Sequence, residues 1–263
     1  MTTSFDDYKD RYSTIKMHRE GGILELRFHT DDGPLMWGRG PHYEFGQAFS
    51  DIHRDPVNKV IIMTGTGEQF SGPASSPGTF PSSTALQWDS TIRAGMMLTT
   101  NLLNLDAIVI SCVNGPAYRH PEIPLLADIV LATPDACFQD SAHFRNRMLP
   151  GDSVNFVFPL LLGLNRARYF LLTGQVLSAQ EALDLGLVNE LHERGSLLDR
   201  AWELARELIQ QNPLVLRYTR LLFTHELRRT AVDLLGYGAA LEGLGVIHEG
   251  DLRSAAGIPE GTS

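Results

Sequence analysis

The stretch Ala107-Ile108-Val109-Ile110-Ser111-Cys112-Val113-Asn114-Gly115-Pro116 decides the fold class. An apolar run with one polar interruption, closed by Asn-Gly-Pro, is what a strand covered on both faces requires, and such strands belong to parallel sheets flanked by helices. Upstream, Lys59-Val60-Ile61-Ile62-Met63-Thr64 is a second run of this kind, closed by Gly65 and Gly67, and residues 128–133 form a third after a short helix. Phe45, Ala48, Phe49 and Ile52 recur at helical spacing before the second run, and residues 85–105 return to that spacing before the first. Nearer the N-terminus, Gly21-Gly22 joins 14–18 to 23–28, where Leu24, Leu26 and Phe28 alternate with Glu25 and Arg27, predicting a hairpin with one wet face. Buried strands alternating with helices predict an α/β fold with stacked sheets.

The second half reads as helix. Ser178-Ala179-Gln180-Glu181 is a capping box and Gly186 a stop signal, so a helix of about two turns lies between them. Residues 196–211, 213–229 and 230–248 predict three further helices, the second opened by Pro213. Residues 250–263 are rich in Gly, Pro and Ser and are expected to fray.

Composition narrows the function. The chain has 263 residues and a formal net charge of −9, which argues against nucleic acid as the main partner. Cys112 and Cys137 both sit in apolar runs and read as buried reduced thiols, the pattern of a cytoplasmic protein. No basic and apolar leader opens the sequence, and no segment offers about 18 uninterrupted apolar residues, so neither export nor membrane insertion is expected. Gly65-Thr66-Gly67 is followed by Gly72 and Pro73, which breaks both the dinucleotide and the phosphate-loop patterns. Gly-x-Ser-x-Gly is absent, and His120-Pro121-Glu122 lacks the downstream cysteine pair of a zinc deaminase. No metal and no organic cofactor are expected.

What remains is a set of histidines and acids in loops. Of nine histidines, His42 follows Trp37 in a Gly-rich loop, His120 stands just past the end of the 107–113 strand, and His143 precedes Pro150-Gly151-Asp152. Loops after strands are where α/β sites gather. His18, His29, His53, His192, His225 and His248 read as structural or surface residues.

Across residues 12–250 the sequence resembles the crotonase (enoyl-CoA hydratase/isomerase) superfamily. The carrying residues are 59–65 with Phe70-Ser71-Gly72, Val113-Asn114-Gly115-Pro116-Ala117 leading to Glu122, 127–132, Pro150-Gly151-Asp152, Leu171-Leu172-Thr173-Gly174, Ala179-Gln180-Glu181-Ala182 and 185–189. The resemblance implies a crotonase-like spiral of ββα units over residues 1–195, a C-terminal helical trimerisation region over 196–250 and a flexible tail over 251–263. It also implies a homotrimer or a dimer of trimers, and stabilisation of an oxyanion. Acyl-CoA members hold a thioester oxygen on two backbone amides, one of them in a Gly triplet. Here that stretch reads Tyr118-Arg119-His120, and the other oxyanion loop reads Gly72-Pro73-Ala74-Ser75, with a proline that has no amide proton. A second hydratase glutamate is replaced within Phe138-Gln139-Asp140-Ser141-Ala142-His143.

These departures are similar to the β-diketone hydrolase branch of the 6-oxocamphor hydrolase type. The matching residues are Met36-Trp37 with His42, His120-Pro121-Glu122-Ile123-Pro124, Phe138 to Phe144, Leu149-Pro150-Gly151-Asp152, and Glu242. The resemblance implies hydrolysis of a carbon–carbon bond in a cyclic or bicyclic β-diketone to a keto acid, without a cofactor. In this reading His143, oriented by Asp152, takes a proton from water, while His120 and Trp37 donate to the oxyanion. His42 and Glu242 supply acid or polar support, Glu122 aligns His120, and Phe80 contacts substrate. Tyr118, Met148 and Phe156 are further pocket candidates. Trp37 also reads as a plain apolar wall, and Asp152 as a cap of the helix over 153–162. Two other readings stay open: an acyl-CoA hydratase or isomerase with Glu122 as acid/base, and a non-catalytic binding subunit.

Overall fold

A computed structural model describes residues 3–74 and 84–255. After a single helical turn, α1 (Phe5–Tyr8), the hairpin β1 (Ile15–Glu20) and β2 (Ile23–Phe28) pairs Ile15 with Phe28, and Gly21 turns it at φ +58°. Helix α2 (Arg39–His53) leads to β3 (Val60–Thr64), and α3 (Ala85–Leu103) to β4 (Ile108–Val113). The one-turn α4 (Glu122–Leu125) precedes β5 (Ile129–Ala132), and β6 (Cys137–Phe138) is followed by α5 (Val154–Leu162) and α6 (Leu164–Thr173). Strand β7 (Leu177–Ser178), α7 (Ala179–Asp184), β8 (Glu190–Leu191), α8 (Arg194–Leu208), α9 (Pro213–Phe223) and α10 (His225–Ala255) complete the order.

Six strands form one sheet in the order β1-β2-β3-β4-β5-β8, parallel from β2 onward, and β6 pairs with β7 in a small second sheet. The expected α/β architecture with a second, stacked sheet is therefore present. Period-two alternation sends Leu24, Leu26, Ile61, Met63 and Val109 into the main core under α2 and α3, and Ile23, Val60, Ile62, Ile110 and Cys112 against α8. The second face of β2 is not wet. Helix α8 covers it, and the Trp202 indole donates to the Glu25 carboxylate at 3.0 Å.

The expected helix over 179–184 is framed as read: Ser178 accepts from the Glu181 amide, and Gly186 follows at φ +75°. The helices after it differ from the expected bounds. The break falls at Thr224, the C-cap of α9, so α9 ends before Arg229 and 225–255 runs as one helix into the segment expected to fray. Arg220 is fully buried, donating to the carbonyls of Leu102 and Leu105 and to Asp128, and so ties α9 to the start of β5. Helix α10 is long and apolar enough to cross a bilayer by length and composition. In this fold Leu235, Ala239 and Val246 face inward, and the helix packs on α3 and α5. Cys112 and Cys137 are both free, the first buried and the second half-buried.

Candidate active site

The carboxyl ends of β3 and β4 are laced together. Asn114 accepts from the Gly65 amide at 3.0 Å and donates to the Gly67 carbonyl at 2.8 Å, while the Phe70 and Ser71 amides both reach the Pro116 carbonyl. Ser71 Oγ then donates to the Arg119 carbonyl at 2.6 Å. This scaffold holds His120 in the left-handed region at φ +51°, a conformation that costs a non-glycine residue free energy and is retained where surrounding contacts fix it.

Beside it, a cavity of about 410 Å³ opens between α2, α3 and α10. Trp88, Ile92, Met96, Leu235 and Val246 make its apolar walls, and Trp37, His42, His120, His143, Asp152 and Glu242 gather at one polar end. The structure thus brings six of the residues singled out in the sequence into one pocket. Glu122 stands behind His120, fully buried. Phe80 lies outside the described residues. Of the other pocket candidates only Met148 lines the cavity; Phe156 is in the core and Tyr118 turns to Cys137.

Donor logic fixes the polarity of one hydrogen-bond chain. His42 Nδ1 lies 2.7 Å from the Gly38 carbonyl, which only accepts, so that nitrogen carries the proton. Burial pushes both His42 and His120 down to about 4, so both rings are neutral near pH 7. The bare His42 Nε2 must then accept from His120 Nε2–H at 2.9 Å, which leaves His120 Nδ1 bare and 2.8 Å from Glu122 Oε1. Only a protonated Glu122 satisfies that nitrogen. Burial raises this carboxyl to about 7, and its Oε2 has no partner among the described residues, a state that a neutral acid tolerates better than a carboxylate.

The second cluster centres on His143, which is 3% exposed. Its Nδ1 donates to Asp140 Oδ1 at 2.8 Å, and its Nε2 faces Asp152 Oδ2 at 3.4 Å and Glu242 Oε1 at 3.6 Å. The ring's hydrogen bond thus goes to Asp140, while Asp152, the acid expected to orient it, faces the other nitrogen. The sequence assigned Asp140 no role, and its position three residues before His143 marks proximity only. Asp152 stands across the ring, also 3.6 Å from His120 Nδ1, and its Oδ1 accepts from the Val154 amide in the turn before α5, whose N-cap is Ser153 and not Asp152. Burial works against a charged His143, but Asp152 and Asp140 override it and raise the ring well above the ordinary imidazole value. Burial also raises Asp152, and lifts Glu242 to about 7.

Residues 41–240 match the family model described as enoyl-CoA hydratase/isomerase. The chain belongs to this family. It is 40% identical to a β-diketone hydrolase of the cyanobacterium Anabaena, solved with (S)-3-oxocyclohexyl acetic acid, over 94% of this chain and 98% of that one, with a TM-score of 0.86. It is also 29% identical to a carnitinyl-CoA dehydratase of Salmonella arizonae, over 91% of this chain and 88% of the relative. An enoyl-CoA hydratase/isomerase structure from Mycobacterium paratuberculosis, 23% identical over 92% and 96% of the two chains at a TM-score of 0.82, shares the fold.

Within this enoyl-CoA hydratase/isomerase member, the first two positions of the loop 72–75 have no amide free for an oxyanion. The Gly72 amide donates to the Leu35 carbonyl at 2.8 Å, and Pro73 has no proton to give. The buried indole Nε1–H of Trp37, by contrast, has no acceptor among the described residues, and its ring packs 4.4 Å from that of His120. Donor atoms of His120, Glu122 and Asp152 lie within 4.8 Å of one another, close enough to share a cation. Both His120 nitrogens are already hydrogen-bonded, so this set does not present the free imidazole lone pair that a metal needs.

Proposed function

We propose that the protein hydrolyses a carbon–carbon bond between two carbonyls of a cyclic or bicyclic β-diketone, giving a keto acid without a cofactor. One observation carries the reading. In the loop expected to hold an oxyanion, the Gly72 amide is used inside the fold and Pro73 has no amide proton, while Trp37 Nε1–H, without an acceptor among the described residues, stands beside His120 in the pocket that His143 also lines. The likeness to the Anabaena β-diketone hydrolase supports it.

The reaction needs a water proton removed, an alkoxide held and an enolate held. Water placed beside His143, Asp152 and Glu242 loses its proton to that cluster, which titrates as a unit, and its oxygen bonds to one carbonyl carbon. The alkoxide collapses to a carboxylic acid as the bond between the carbonyls breaks, and the electron pair passes to the second carbonyl as an enolate. Trp37 Nε1–H and His120 Nε2–H hold that oxygen, the latter turning from His42 to do so. The cluster returns its proton to the enolate carbon. Glu122 keeps His120 in the donating tautomer, and the apolar walls of α3 and α10 accept a hydrocarbon ring. On the same reading the active form is a homotrimer or dimer of trimers.

Turnover in H₂¹⁸O tests the step directly. One labelled oxygen is expected in the new carboxylate of the keto acid, and unlabelled product would contradict hydrolysis. The alternative, acyl-CoA hydration or isomerisation through Glu122, is favoured by the likeness to carnitinyl-CoA dehydratase and by the burial of Glu122 at the site.

A further inference from the structure

We propose that Asp140 is a positioning residue for the hydrolysis, fixing His143 with Nδ1 protonated and Nε2 aimed at the water site between Asp152 and Glu242. The inference rests on the β-diketone reading for its consequence, and on geometry for the placement itself.

Asp140 is held from three sides. The Gln139 amide bonds the Ala117 carbonyl at 3.1 Å, the Ser141 amide bonds the Tyr118 carbonyl at 2.9 Å, and Ser141 Oγ reaches the Pro73 carbonyl at 2.8 Å. A carboxylate on so fixed a backbone dictates the ring plane of its partner. Its Oδ1 accepts both from His143 Nδ1 and from the Ala142 amide at 3.1 Å. The His143 backbone is pinned too, since its carbonyl accepts from the Asn146 amide at 2.7 Å. The ring therefore has one orientation.

The remaining oxygen of Asp140, Oδ2, is buried with no hydrogen-bond partner among the described residues. A fold selecting only for stability has no use for a buried carboxylate with an orphan oxygen, because an amide or an apolar residue at that point avoids the desolvation. The charge earns its place through what it faces. His143 and His120 lie on its near side, with Arg119 contributing a further positive field, while Asp152 and Glu242 approach His143 from the loop before α5 and from α10. Burial opposes ionisation of Asp140, but the His143 charge and hydrogen bond hold it below the ordinary carboxylate value. With Asp140 charged at Nδ1, the ring shares its other proton with the carboxylates that face water. Without that charge the tautomer is free to reverse, and Nε2–H then points at the position where the water proton must arrive.

The test is ¹⁵N NMR of the full chain labelled at histidine, with His143 assigned by the signals lost in His143→Gln. In the unsubstituted protein, Nδ1 of His143 is expected to stay protonated at every pH at which the chain is folded. In Asp140→Asn the His143 titration is expected to move down by about one pH unit or more, the size of shift that loss of a neighbouring charge produces. Its kcat on a diketone is expected to fall by about 10²-fold with KM nearly unchanged, the lower end of what a misplaced base loses. A folded Asp140→Asn protein with unshifted His143 titration overturns the proposal, as does a bare Nδ1 in the unsubstituted protein; the second result stands even where the variant does not fold. Failure of the hydrolase reading shows separately, as a chain that opens no diketone while His143 behaves as described.

Discussion

Glu122 and Trp37 carry the sharpest consequences at single positions. Protonated Glu122 supplies the hydrogen that His120 Nδ1 accepts, so the donating tautomer exists below about pH 7 and is lost as pH rises through that value. Activity is expected to fall on the alkaline side near pH 7, and Glu122→Gln, whose amide donates at any pH, is expected to retain activity and remove that limb. A kcat/KM profile of the two proteins checks this; an unmoved limb contradicts the chain polarity. Trp37→Phe keeps the apolar wall and deletes the unclaimed Nε1–H. Its kcat is expected to drop by about 10²–10³-fold, the usual effect of losing one oxyanion donor, whereas a drop of about twofold leaves Trp37 a wall only. The identity of these residues was legible because their types and spacing matched a known branch. The orienting role of Asp140 was not, because a carboxylate three residues from a histidine says nothing about which ring nitrogen it meets.

At the level of elements, the contact between α10 and the loop before α5 places Glu242. A Cβ at Gly238 would collide with the Gly151 carbonyl, and one at Gly151 with Gly238 and Glu242, so two glycines let the backbones meet. Gly238→Ala is expected to push α10 away, loosening Glu242 from His143 and lowering kcat by at least about tenfold, in line with a small displacement at a catalytic centre. Wild-type activity in a folded Gly238→Ala protein contradicts this placement. The strands around the core could be read because their apolar runs and glycine stops are local signals. The division of 213–255 could not, since α9 is anchored by a buried Arg220 whose partners, Asp128 and two carbonyls, are far away in sequence.

For the whole molecule, the outer surfaces of α9 and α10 carry Leu222, Phe223, Val232, Tyr237 and Leu244, each more than half exposed on the single chain. Monomers rarely leave so many large apolar side chains in water. Sedimentation at micromolar concentration is expected to show a trimer or hexamer, and charged substitutions at Leu222 and Phe223 are expected to dissociate it; a monomer contradicts that assignment. The purified protein, with no cofactor added, is incubated in parallel with a panel of cyclic and bicyclic β-diketones and with crotonyl-CoA, following keto-acid release and loss of the enoyl absorbance. Ring opening without thioester turnover is the predicted result, and thioester turnover without ring opening would contradict the account.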